Sequence, residues 1–150
     1  MITPLIIITI LIFPYIAFRL ISGEEAGKTG AVIGLSIAFM FFATGHFIKT
    51  TEMVQMLPPF VPFRTALVYL TGVIELALAV LLLVPQTRRF AGVLCIITFV
   101  IFFPANIYGA INHVGMGGHS WGPVYLLIRV PLQIILIGWA YWFVVRNNGK

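Results

Sequence analysis

The chain has 150 residues, of which 61% are hydrophobic and only 9% charged, with a formal net charge of +5. A soluble domain carries about 25% charged residues, so this chain cannot cover a water-facing surface, and disorder, a coiled coil and a secreted disulfide scaffold are excluded too. The nine basic residues form no stripe that could track phosphates, which excludes a nucleic-acid partner, and the single cysteine, Cys95, excludes an internal disulfide, a dithiol relay and a four-cysteine zinc site.

Five apolar stretches follow in chain order: residues 2–21, 31–48, 64–84, 90–108 and 124–145. Each has the roughly 18–22 residues needed to cross about 30 Å of hydrocarbon at about 1.5 Å per residue. None alternates as a barrel strand would. Backbone groups in lipid must bond within their own segment, so all five are read as helices. The expected fold is an all-α polytopic membrane bundle in a single domain, 1–150. No Lys or Arg precedes the first stretch, and Arg19 lies at its far end, so it is read as a retained helix rather than a cleaved signal peptide.

The short connections set an orientation. One side carries Arg19, Lys28, Arg88, Arg89, Arg146 and Lys150, six basic residues; the other carries Lys49 and Arg64, two. The positive-inside rule puts the first side in the cytoplasm, with the N-terminus outside and the C-terminus inside. Trp121 and Tyr125 then suit the outer interface, and Trp139, Tyr141 and Trp142 the inner one.

Two longer connections lie on the outer side, over one face of the bundle. Residues 49–63 read KTTEMVQMLPPFVPF: Thr51 is placed to cap one helical turn with Met53, Met56 and Leu57 facing lipid, and Pro58, Pro59 and Pro62 forbid its continuation. Residues 109–123 read GAINHVGMGGHSWGP, a tightly turned or flexible glycine-rich loop.

The informative residues are polar and intramembrane. Glu75 lies eleven residues beyond Arg64, about 16 Å from the outer surface and near the midplane. A carboxylate there is expensive unless paired or neutralised. Its neighbours Thr71, Gly72 and Ala79 are small, which marks a packed face, so Glu75 is expected to point inward. Arg129 and Gln133 are four apart and share a face, about 8 and 13 Å deep. Arg129 is expected to reach towards Glu75, and Gln133 to bond it. Asn106 and His46 lie near the outer ends of their helices. These five residues, from four helices, are expected to line one outward-opening polar cavity. They serve either as a clamp between the third and fifth helices or as a ligand or proton site.

Pro104 and Pro131 each free the carbonyl four residues earlier, Val100 and Leu127, and either kink their helices or offer that carbonyl to a partner; Pro14 is read as a kink alone. His113 and His119 are read as solvated loop residues and His46 as a hydrogen-bonded interfacial one, since their spacing fits no metal motif. Gly30 and Gly34 form a GxxxG that brings a second helix close, in the bundle or in a homodimer.

Taken together and in order, Gly45-His46-Phe47, Leu57-Pro58-Pro59-Phe60-Val61-Pro62, Thr71-Gly72-Val73-Ile74-Glu75, Pro104-Ala105-Asn106-Ile107-Tyr108 and Arg129-Val130-Pro131-Leu132-Gln133 resemble the DoxX-like integral membrane proteins, as does the linking Pro85-Gln86-Thr87-Arg88-Arg89. The resemblance implies a four-helix core over 31–145, with residues 2–21 as an added helix, in a bacterial inner membrane. It also implies a link to quinone chemistry, with the chain as an accessory subunit beside a redox partner rather than an enzyme on its own. Two alternatives stand beside it: a small-molecule or proton binder or transporter, and a structural partner in a larger complex.

Overall fold

The computed structural model describes residues 2–146; Lys150, counted above on the cytoplasmic side, lies outside them. The elements are α1 (Ile2–Ser22), α2 (Glu24–Ile48), α3 (Thr50–Gln55), α4 (Arg64–Leu83) and α5 (Arg88–Ile111). A 3₁₀ segment (His119–Tyr125) then leads into α6 (Leu126–Trp139), which ends in a widened π turn (Ala140–Arg146). There is no strand among the described residues. Five helical stretches are long and apolar enough to cross a membrane: residues 2–22, 24–48, 64–83, 88–111 and 119–146. The chain is therefore an all-helical bundle with the make-up of an integral membrane protein.

The first two spans form a hairpin joined by one residue. Gly23 sits at φ 87°, a left-handed conformation open to glycine at little cost, and α2 starts immediately after it. The second helix thus begins at Glu24, seven residues earlier than its apolar run at Ala31. The polar first turn is tolerated because Glu25 and Lys28 pair at the exposed end.

The glycine pair of α2 receives α1. A Cβ on Gly30 would stand 2.3 Å from the Pro14 carbonyl oxygen, and one on Gly34 would stand 2.7 Å from that of Leu11 and 2.9 Å from that of Ile10. Pro14 has no N–H, so the Ile10 carbonyl lacks its usual intrahelical donor. It faces the Gly34 backbone instead. Pro14 therefore shapes the α1–α2 contact. The far side of α1 stays apolar and exposed at Leu5, Phe13, Leu20 and Ile21, so the helix lies on the flank of the bundle.

The core joins α2, α4, α5 and α6 through Leu35, Phe39, Leu78, Leu82, Cys95 and Leu136, all buried. Cys95 is enclosed there as a small apolar side chain. The Ser36 hydroxyl donates to the Ala79 carbonyl at 2.7 Å, tying α2 to α4. Trp139 does not anchor at an interface: its indole N–H donates to the Ala31 carbonyl at 3.0 Å, and its ring packs against Tyr15 and Phe143. Tyr141 and Trp142 are exposed as an interfacial belt requires, and Arg146 lies over the Trp142 ring.

The two long connections fold back over the α2–α4–α5–α6 end. The helical turn α3 forms where the sequence suggests, but Thr51 does not cap it. The Thr50 hydroxyl instead bonds back to the His46 carbonyl at 2.7 Å, so α3 continues from the end of α2. Met56 is buried rather than turned to lipid, and it packs on Gly109, where a Cβ would meet its Cγ at 2.8 Å. The exposed apolar side chains here are instead Phe60 and Phe63, each 85% exposed on the proline-rich turn.

Candidate functional site

His46 comes from the last turn of α2, and Gly72 is what lets it approach α4. A Cβ at Gly72 would lie 2.7 Å from the His46 Cβ and 3.2 Å from the Phe47 ring. With that space open, His46 Nδ1 lies 2.8 Å from the Val68 carbonyl and 3.0 Å from the Thr71 hydroxyl. A carbonyl only accepts, so Nδ1 carries a proton and Nε2 is turned the other way. Nε2 lies 3.2 Å from Glu75 Oε2. At that distance the two form a charged pair when the imidazole is protonated. The approach is off the line of a good hydrogen bond, and Oε2 keeps accepting capacity although it is enclosed by protein.

Glu75 is 4% exposed and points into the bundle, one helical turn beyond Thr71. Its ion-pair partner among the described residues is His46, which corrects the expectation of Arg129 and Gln133. Gln133 donates its amide to the Phe99 carbonyl on α5, next to the Val100 carbonyl that Pro104 deprives of a donor. Arg129 interacts with Tyr125, one turn earlier, and feels the Glu75 charge without closing a salt bridge to it. The guanidinium Nε is enclosed and has no hydrogen-bond acceptor. Asn106 donates its amide to Phe102, four residues back on α5.

All five side chains, His46, Glu75, Asn106, Arg129 and Gln133, line one cavity of about 580 Å³. Both long connections close over it, through Met53, Met56 and Leu57 on one side and Met116 and His119 on the other. Its remaining walls are mostly apolar, with Phe42, Phe99 and Phe102 among them, and they include Thr44, Lys49 and Thr71. Phe41, Ile48 and Ile101 line it and are also exposed, so its rim is apolar along α2 and α5. A flat, mostly apolar molecule with a few polar atoms matches these walls.

His119 was not expected here. It is buried, 5% exposed, rather than solvated, because Gly117 (φ 58°) and Gly122 (φ 72°) turn the loop inward. Its Nδ1 lies 2.7 Å from the Met116 carbonyl, and its ring meets Tyr125 edge-on with centroids 4.9 Å apart. Nε2 is enclosed without a partner. Tyr125, expected at the interface, is buried beneath it and holds the start of α6 in place. The sequence signal for both is Gly118, where a Cβ would collide with the Tyr125 ring at 2.1 Å. His113 does stay exposed, as expected. No cluster of three or more His, Cys, Asp or Glu side chains among the described residues is arranged to hold a metal ion.

Fold and site define a class: a helical bundle with five helices long and apolar enough to span a membrane, and with the buried Glu75 carboxyl, the His46 imidazole and the Arg129 guanidinium along one mostly apolar cavity. Within that class the chain belongs to the family described as Domain of unknown function (DUF8561), whose model matches residues 35–144. The match spans His46, Glu75, Asn106, His119, Arg129 and Gln133 and leaves α1, with Thr3 at the cavity, outside. No curated protein and no solved structure matches the chain.

Proposed function

We propose that the protein is a membrane-embedded binding subunit for a small lipid-soluble ring compound of the quinone class, and that it serves a redox partner rather than working as an enzyme alone. The observation that carries this reading is the cavity of about 580 Å³, in which aromatic walls meet the His46–Glu75 pair and the Arg129 guanidinium. A quinone-class ring asks for flat apolar surfaces and for polar groups at opposite oxygens. Phe42, Phe99 and Phe102 answer the first need, and Arg129 and the His46–Glu75 pair the second. The apolar rim along α2 and α5 suits a ligand that arrives from the bilayer. With one cysteine the chain has no dithiol of its own, so in this reading electrons pass through a partner.

The resemblance to DoxX-like proteins supports the same reading. His46, Leu57, Glu75, Asn106, Arg129 and Gln133, one or more from each of its five quoted patterns, all border the cavity. The accompanying placement is a bacterial inner membrane with the cavity end outward, the side with fewer basic residues. A second reading, a proton or small-molecule binder or transporter, is favoured by one feature, the His46 imidazole set 3.2 Å from the enclosed Glu75 carboxyl.

Extraction of protein purified in mild detergent, followed by mass spectrometry, tests the proposal. A lipid-soluble aromatic compound should be retained near one per chain and lost from Glu75→Leu protein that remains folded. Extracts that hold only bulk phospholipid, together with failure to bind added decyl-tailed quinone or hydroquinone, would reject it.

A further inference from the structure

The cavity reaches the outside of the bundle at two places of different character. One lies under the long connections, where Lys49, Gly115 and Gly117 line it and are exposed. The other lies between α4 and α5. On α5 the cavity is lined by Ile101 and Ala105, four apart and so on one stripe. Val100 and Phe103 occupy the opposite edge of that helix, where they line a separate groove with Val130, Ile134 and Ile137 of α6. With α6 on that edge, Ile101 and Ala105 are turned towards α4, which lines the cavity through Leu67 and Thr71. The far ends of α4 and α5 are pinned together: the Thr87 hydroxyl donates to the Leu81 carbonyl at 2.8 Å, and Arg88 Nε to the Leu82 carbonyl at 3.1 Å. Leu82, Ala91 and Cys95 pack there in the core. Towards the other end the cavity takes the place of such packing and leaves a crevice.

The crevice is apolar and deep. Ile101 lines the cavity and is also 63% exposed, and Thr71 turns its hydroxyl back to the Leu67 and Val68 carbonyls at 2.9 Å each. Thr71 lies seven residues beyond Arg64, and Ile101 ten before Ile111, which puts them about 10 and 15 Å from those helix ends. The crevice therefore opens to the hydrocarbon of the proposed bilayer, close to the depth of Glu75, and not to the headgroups. We infer that the ligand is a single-tailed amphiphile, with its head beside Glu75 and Arg129 and its alkyl or prenyl tail leaving through the α4–α5 crevice into the bilayer. This rests on the binding role proposed above and adds a tail to the ring. A tail-free ring would leave the slot for a separate lipid chain to fill, whereas a tail joined to the head fills it without ordering a second molecule. At the other opening a tail would emerge beside the Lys49–Glu52 ion pair, where an apolar chain gains nothing.

The test uses two quinones with one head, the first decyl-tailed and the second with a methyl group in place of the tail. Binding to the full chain in lipid nanodiscs is read as the ratio of variant to wild type for each compound, so that partitioning into lipid cancels. Folded Ala105→Trp protein, with a ring in the crevice, should bind the decyl compound at least roughly tenfold more weakly and the methyl compound within about threefold of wild type. Ala105→Leu should act in the same direction by less, and Val100→Trp, on the opposite edge of α5, should change neither. A diazirine at the middle of the decyl tail, photolysed on the wild-type chain, should mark Leu67, Ile101 or Ala105. Equal loss of both compounds in Ala105→Trp, loss of neither, or tail labelling at Ile48, Lys49 or Gly117 overturns the tail assignment and leaves the binding role standing. If neither compound binds the wild-type chain, the binding role falls with it.

Discussion

Removing either member of the His46–Glu75 pair leaves the other enclosed in the bundle. At the observed 3.2 Å and an effective dielectric of about 20, opposite unit charges would attract by about 5 kcal/mol. Desolvation cancels part of this, and the measured cost of breaking such a buried pair is about 3–5 kcal/mol. Glu75→Leu should therefore destabilise the bundle by about that amount. So should His46→Asn, which keeps an N–H near the Val68 carbonyl but loses the group facing Glu75. In the double variant neither group is stranded, and the losses should fall well short of the sum. Reversible unfolding in mixed micelles reads all four corners of this cycle. Ordinary hydrogen bonds between membrane helices couple by ~0.6 kcal/mol on average and ~1.7 kcal/mol at most. A coupling above that ceiling marks an ionic pair. A coupling near the average, or additive losses, would refute the ionic account. Glu75→Gln should keep most of the stability, because its amide can donate to His46 Nε2.

The helix contacts give three further expectations. Gly30→Ala forces a Cβ against the Pro14 backbone and should cost about 1–3 kcal/mol in the same assay, whereas Gly138→Ala, with no atom within 4 Å, should cost nothing in packing. Gly72→Ala should push His46 off Glu75 and lower ligand retention more than Gly30→Ala does. Outside the spans, the ion pair with Lys49 at 2.9 Å holds the Glu52 carboxyl below its ordinary value of 4.5, so carbon NMR should find it still ionised as pH falls through 4.5. Its small contribution is present above that value and lost as pH falls through the depressed one, and high salt should move the midpoint back up. For the proposed orientation, a cysteine at the exposed His113 in a Cys95→Ser background should react with an impermeant reagent added from outside the cell, and one at Arg88 should not.

Much of this architecture is legible without coordinates because membrane spans are written in length and hydrophobicity, and because charge is so expensive in lipid that Glu75 and Arg129 stand out. Small neighbours correctly turn Glu75 inward. What the sequence hides is pairing. His46 and Glu75 are 29 positions apart and meet only because Gly72 lets α2 and α4 close up, while the four-residue spacing of Arg129 and Gln133 suggests a partner that geometry gives to Phe99 and Tyr125 instead. The GxxxG in α2 announces an interface but not that α1 fills it. His119 was hidden for a different reason. A glycine-rich loop looks solvated, yet left-handed glycines at 117 and 122 are what fold its histidine inward. Met56 likewise reads as lipid-facing by period and is drawn inward by the gap at Gly109.

The central claim is that the cavity beneath the two long connections holds a ring ligand, and photolabelling tests it most directly. A decyl-tailed hydroquinone carrying a photoreactive group on its ring, activated in nanodiscs and mapped by peptide mass spectrometry, should modify Met53, Met56, Phe102 and Met116. Excess unlabelled hydroquinone should suppress that labelling, and folded Glu75→Leu protein should lose it. Labelling confined to lipid-facing side chains such as Leu70, Val80 and Phe90, undiminished by competitor, would contradict the claim.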